Sequence, residues 1–220
     1  KVDQFLSQGA TRGIQVLEHP ASLRLFPEYY GNAREVIRKA IDRFSANTAT
    51  RNAFSRRYLR NALLNIGSIG RSHPVNALFA RLEGRPGVVI TSGPSLDGIL
   101  PFIKKSRQRI VIVAVDSALP ALSASGITPD FAISIDPQQH VCEHFAHGRP
   151  GETVHVFSLT AYPLPIRLHG WFLSLNTHPV SQLIEELHPG AIGSIDSGSG
   201  TVAGDAILLA ARLGLSPIAL

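Results

Sequence analysis

The stretch VVITSGPSLDG, residues 88–98, runs from an apolar triplet straight into Ser-Gly-Pro-Ser. A β-hairpin would favour Asn-Gly or Asp-Gly here, with a second alternating run close behind. Instead about a dozen residues of helical character follow, and then another apolar run, Ile110–Val115. The stretch therefore reads as a strand-to-helix turn. Such turns often hold anions, because the first amides of a helix lack internal partners.

The same rhythm continues along the chain. Apolar runs at Val88–Ile90, Ile110–Val115, Phe131–Ile135, Val154–Leu159 and Trp171–Leu175, and from Pro217, alternate with helix-like stretches. The runs are continuous rather than alternating, as expected of strands covered on both faces. Strand–helix–strand order implies a parallel sheet. Residues 84–220 are thus expected to form a Rossmann-like, doubly wound, mostly parallel α/β domain. Residues 1–83 lack strand alternation and are expected to form a helical N-terminal segment. In it, Val36, Ile37, Ala40, Ile41 and Phe44 share one helical face, and Phe54, Tyr58, Ala62 and Ile66 recur every four residues in a second amphipathic stretch that follows NTAT (47–50). GSIGRSHP (67–74) breaks the pattern, VNALFARLEG (75–84) predicts a short helix, and Arg85-Pro86-Gly87 marks the boundary.

Of the 220 residues, 44% are hydrophobic and 17% charged, which argues for a packed core and against global disorder. A single cysteine, Cys142, excludes an internal disulfide and a cysteine zinc cage. No basic-then-apolar leader and no membrane-length apolar run are visible, so a cytoplasmic setting and no membrane association are expected. No methionine occurs, even at residue 1, and the end SPIAL reads as an unfinished strand; both suggest a fragment truncated at its C-terminal end. Residues 1–83 carry 13 Lys/Arg against 6 Asp/Glu, whereas residues 84–220 carry 8 against 10. The front is read as a solvated helix face or a surface for an acidic partner; nucleic acid is not expected, since no aromatics interleave the basic residues.

In open parallel sheets, ligands bind beyond the carboxyl ends of the strands, where strand order reverses. Small polar or acidic residues follow the runs: Ser92, Gly93 and Ser95 after Ile90, Asp116 and Ser117 after Val115, Asp136 after Ile135. Gly93 lets backbone pass close to a ligand, while Ser95 can cap the helix or bind a phosphate. Neither a Walker loop nor the full dinucleotide fingerprint is present. Asp116 sits where such folds often place a carboxylate for ribose hydroxyls. Asp136 either binds a ligand or caps a helix beginning near Gln138. A second bend, DSGSGTVAGDAILLAARLG (196–214), offers Gly198, Ser199, Gly200 and Thr201 at a helix start, with Val202, Ala206, Leu209, Ala210 and Leu213 as its packing stripe. His140, His144 and His147 fall on one helical face; they are read as a polar edge rather than a metal site, and no catalytic triad is legible from spacing.

Taken together, GPSLD (93–97), VDSALPAL (115–122), GITPDFAISID (126–136) and GSGTVAGDAILLAARLG (198–214) resemble the core of the motility accessory factor (Maf) proteins. These are bacterial flagellin glycosyltransferases of the 6-hydroxymethylpterin diphosphokinase MptE-like superfamily. FSRRYLRNALLNIG (54–67) is similar to the helical region before that core. The resemblance implies transfer of a nonulosonic, sialic-acid-like sugar from a CMP-sugar donor to Ser or Thr of flagellin. It implies that Gly93, Ser95, Ser199, Gly200 and Thr201 hold phosphate and ribose, and that Asp116 and Asp136 line the nucleotide or sugar pocket. The core is also similar to bacterial sialyltransferases, where Asn stands in place of Ser92; the region of their histidine base corresponds to sequence after the strand begun at Pro217, so no catalytic residue is assigned. No cofactor is expected beyond the donor. The alternatives are diphosphate transfer from ATP to a pterin alcohol, with magnesium on Asp116 and Asp136, and a non-catalytic nucleotide-binding module whose basic front docks a protein.

Overall fold

The structure, a computed structural model, describes residues 16–146, 152–164 and 171–220. By contacts the chain divides into two compact units, residues 1–55 and 56–220. Residues 56–83, read from the sequence with the helical front, are thereby grouped with the sheet.

In the first unit, α1 (Pro20–Leu25) is followed by α2, a helix over Pro27–Ile66 that continues into the second unit. Proline opens each helix, where its missing N–H costs nothing. The two amphipathic stretches on either side of NTAT are one continuous helix. Asparagine and threonine disfavour a helix only mildly, and neither Gly nor Pro falls between Asn32 and Ile66. Of the face predicted around residue 40, Ala40 is buried, but Val36 is exposed.

The second unit is built on seven strands: β1 (His73–Pro74), β2 (Gly87–Ile90), β3 (Val111–Val115), β4 (Phe131–Ser134), β5 (Val154–Ser158), β6 (Phe172–Ser174) and β7 (Ile218–Ala219). They form one parallel sheet in the order β1-β6-β5-β4-β3-β2-β7. Every residue of β2, β3 and β4 is buried. That explains why these strands lack polar alternation. The fold is thus the expected Rossmann-like α/β arrangement. The edge strand β1, paired with β6, falls in the stretch read as a break.

The connecting helices are α3 (Leu96–Ser106), α4 (Leu119–Ala124), α5 (Val141–Phe145), α6 (Pro179–Leu187) and α7 (Val202–Arg212). From β2 the chain steps through β3, β4, β5 and β6 in one direction, then returns to place β7 on the other side of β2. The strand order therefore reverses at β2. Right-handed crossovers put α3 and α4 on one face and, after the reversal, α7 on the other. Helix α7 packs on β2, β3 and β4 through Ala206, Leu209, Ala210 and Leu213.

The helix predicted over 75–84 is only a 3₁₀ turn, Val75–Leu78. The amides of Ala80, Leu82 and Gly84 instead donate to the carbonyls of Arg212, Leu213 and Gly214. This ties the C-terminus of α7 to the chain entering β2, so α7 runs against the strands. Its N-terminus accordingly lies at their carboxyl edge. No helix among the described residues is long and apolar enough to cross a membrane.

Candidate functional site

The first bend, Thr91–Ser95, leaves the carboxyl end of β2, the strand at which the order reverses. Its turn is closed by the Leu96 amide donating to the Gly93 carbonyl at 3.0 Å. Ser95 occupies the N-cap position of α3 but makes no side-chain capping bond. The side-chain cap expected of it is therefore not made. A Cβ on Gly93 would meet nothing closer than 3.9 Å, so packing does not require glycine there. Ser92 and Ser117 share a hydroxyl hydrogen bond of 2.9 Å, which joins this bend to the end of β3.

Asp116 begins the turn after β3 and is 4% exposed. One oxygen accepts from the Ser117 amide at 2.7 Å and the other from the Ser134 hydroxyl on β4. Burial raises its pKa, against the opposing pull of those two bonds and of His144. The aspartate expected to line a ligand pocket thus spends both oxygens inside the protein. Asp136 is half-buried; its Oδ1 accepts from the Gln138 amide at 2.8 Å and its Oδ2 lies 3.5 Å from His140 Nε2. It closes a turn, and the helix expected near Gln138 starts at Val141. The rings of His140 and His144 meet edge to face at 5.7 Å; His147 lies outside the described residues. Among the described residues no three His, Cys, Asp or Glu side chains are grouped to hold a metal.

The second bend is held by its own side chains. Asp196 accepts from the amides of Gly198 and Thr177, each at 2.9 Å. The hydroxyls of Ser197, Ser199 and Thr201 form a chain with links of 2.8 and 3.1 Å. Asp205, in the first turn of α7, accepts from both the amide and the hydroxyl of Ser197 at 2.8 and 2.7 Å. Thr201 caps α7 by accepting from the Gly204 amide at 3.2 Å. Gly198 and Gly200 have φ of 69° and 74°, backbone that L side chains adopt only with strain. Ser197, Gly198, Ser199, Gly200 and Thr201 are all exposed.

Both bends therefore lie along the carboxyl edge of the sheet, one on β2 and one at the N-terminus of the helix packed over β2–β4. An exposed helix N-terminus flanked by hydroxyls suits an anion. The sequence reading missed the polar side chains that brace this edge. Asn61 and Asn65 of α2 are buried and donate to the carbonyls of Pro137 and Thr160, and of Leu159 and Ala161. Asn176, after β6, donates to Ser158 and Thr160. His144 was read as part of a polar edge, yet its Nδ1 is buried beside Asp116. No spacing rule flags these pairs, since each joins residues brought together only by the fold.

A family model described as 6-hydroxymethylpterin diphosphokinase MptE-like matches residues 60–220. An uncharacterized protein of Treponema pallidum (strain Nichols) is 27% identical over 194 residues, covering 86% of this chain and 33% of that protein. A second from the same organism is 31% identical over 114 residues, covering 51% of this chain and 53% of its own length. The chain spans between a third and about half of the length of these relatives. Among solved structures, a Maf glycosyltransferase from Magnetospirillum magneticum AMB-1 shares the fold with a TM-score of 0.55 and 24% identity, over 64% of this chain and 23% of that one. With the family match running from the last turns of α2 through the whole sheet, the chain belongs to the 6-hydroxymethylpterin diphosphokinase MptE-like family.

Proposed function

We propose that this chain is the donor-binding core of a glycosyltransferase that moves a nonulosonic sugar from a CMP-sugar to Ser or Thr hydroxyls of flagellin. One observation carries the reading: two glycine- and hydroxyl-bearing bends share the carboxyl edge of the sheet, one at the point where strand order reverses. When the sugar departs, negative charge gathers on the CMP phosphate. Amides at the start of α7 and the hydroxyls of Ser95, Ser199 and Thr201 are the groups that would stabilise it without a metal. The fold shared with a Maf glycosyltransferase supports the same reading.

The family's description favours a second reading, diphosphate transfer from ATP to a pterin alcohol. That chemistry needs magnesium held by carboxylates. The residues do not fit it in the expected way: Asp116 is buried with both oxygens occupied, and Asp136 has one oxygen in its own turn.

Calorimetry with CMP, a CMP-sugar and ATP, each with and without magnesium, tests the choice. Binding of CMP and the CMP-sugar that is indifferent to magnesium is the expected result. Binding of ATP alone, and only with magnesium, overturns the proposal in favour of the diphosphokinase. Tight CMP binding without sugar transfer by the full-length protein would leave a nucleotide-binding module.

A further inference from the structure

Two helices of the second unit carry apolar stripes wider than the core they cover. On α6, Val180, Leu183, Ile184 and Leu187 follow the i, i+3, i+4, i+7 spacing of one helix face. Val180 and Ile184 pack on a satellite core that includes Phe157, Leu159, Leu173 and Leu175, whereas Leu183 and Leu187 are each more than half exposed. In the last turns of α2, Ala62 is buried in the same core, while Leu59, Leu63 and Ile66, at i, i+4 and i+7, stay exposed. The rotation of this helix is fixed, because Asn61 and Asn65 are bonded to the carbonyls of residues 137 and 159–161. Scattered exposed aliphatics are ordinary on a protein surface. Five of them in two ridges on neighbouring helices mark an interaction surface.

The two ridges look out from the same side of the sheet. Phe157 pairs with Leu173, and Leu159 and Leu175 lie two residues on, so the side chains of the satellite core share one sheet face. The end of α2 and α6 both cover that face, and the rings of Tyr58 and His178 lie 6.4 Å apart between them. The ridges are also oppositely charged. Exposed Arg56 and Arg60 stand three residues before Leu59 and Leu63, and exposed Glu186 stands three residues after Leu183, so each charge borders its ridge. A face with one apolar-basic ridge and one apolar-acidic ridge is complementary to itself. A two-fold axis sets the basic ridge of each copy against the acidic ridge of the other.

We propose that this face joins two copies of the chain in a two-fold dimer, with the α2 ridge of one copy packed on the α6 ridge of the other and Arg60 opposite Glu186 of the partner subunit. Each charge pair then occurs twice, once on either side of the axis. The dimer stands apart from the transferase reading, since neither ridge contains a residue of the two bends.

The test is sedimentation equilibrium of the 220-residue chain at micromolar concentrations. The wild type is expected to dimerise. Leu63→Asp, at an exposed position, should keep the wild-type circular dichroism spectrum and sediment as a monomer. Arg60→Glu and Glu186→Arg should each weaken the dimer by about tenfold, because the repulsion is met twice. Mixed in equal amounts, these two variants should form a heterodimer of near wild-type affinity, since each chain then supplies the charge the other lacks. A wild-type chain that stays monomeric overturns the proposal and leaves the ridges to another partner, such as the further length that the relatives carry. A dimer indifferent to Leu63→Asp overturns it too, as do charge-reversed variants that fail to recover on mixing; either result puts the contact on a different face.

Discussion

The two bends on the carboxyl edge are built in opposite ways. The first, Thr91–Ser95, is nearly bare. Its glycine has open space around the missing Cβ, its last serine caps nothing, and one hydroxyl bond ties it to β3. The second is wired from within by Asp196, Asp205 and a line of three hydroxyls, on two left-handed glycines. A bare loop keeps its donors available and can adapt to what it binds. A wired loop is held in shape before any ligand arrives and forms a fixed wall. If both face one phosphate, affinity should depend on the first bend without the fold depending on it. In the second bend, fold and affinity should fail together.

The largest expected effect is at Gly204, in the first turn of α7. A Cβ there would run into the hydroxyl and Cβ of Ser199 and the hydroxyl of Ser197. Gly204→Ala forces the hydroxyl line off the helix, and overpacking of this kind costs about 1–3 kcal/mol. Urea unfolding should show that loss, and CMP affinity should fall with it. A variant as stable as the wild type would mean that the second bend is not held against α7 as described.

Next comes Gly93→Ala, which separates binding from folding. The nearest heavy atoms to the new methyl are 3.9 Å away, on Ser95 and Thr91, so stability should stay within about 0.5 kcal/mol. A methyl group on the surface a phosphate approaches should weaken CMP binding by about tenfold, or about 1.4 kcal/mol. Unchanged affinity would remove the first bend from the site and leave the second to act alone.

The sheet was legible in advance because its strands are mostly buried: β2 and β3 appear as unbroken apolar runs, and β4, β5 and β6 as apolar runs interrupted only by His155 and by Ser134, Ser158 and Ser174. A two-residue strand such as His73–Pro74 leaves no pattern to read. The packing stripe of α7 was legible for the same reason as the strands. The braces of the candidate site were not. Asn61 and Asn65 look like solvent positions on an amphipathic helix, and only the folded chain brings the carbonyls of residues 137 and 159–161 to them. His144 and Asp116 come from different crossovers, and their approach depends on α5 packing over the turn after β3. Local periodicity reports burial well; it does not report which polar partner waits inside.

Asp205 illustrates the same limit and supplies the smallest expected effect. From sequence it is an acid in the first turn of a helix, suited to the dipole. In the structure it is 6% exposed and serves as the anchor of Ser197. Burial raises its pKa above the ordinary value of 3.8; the two Ser197 bonds oppose this and nearby Asp196 adds to it. A carboxyl whose folded pKa is raised contributes stability that is full below the unfolded value and is lost as pH rises through the folded value. Asp205→Asn keeps an oxygen to accept from Ser197 but has no such titration. The stability lost on substitution should therefore be greater near pH 4 than at pH 7, where the wild type bears the cost of a buried charge. Urea melts of both proteins at the two pH values measure the difference. A loss that is flat with pH, or larger at pH 7, would show that the second bend draws its order from elsewhere than this buried carboxyl.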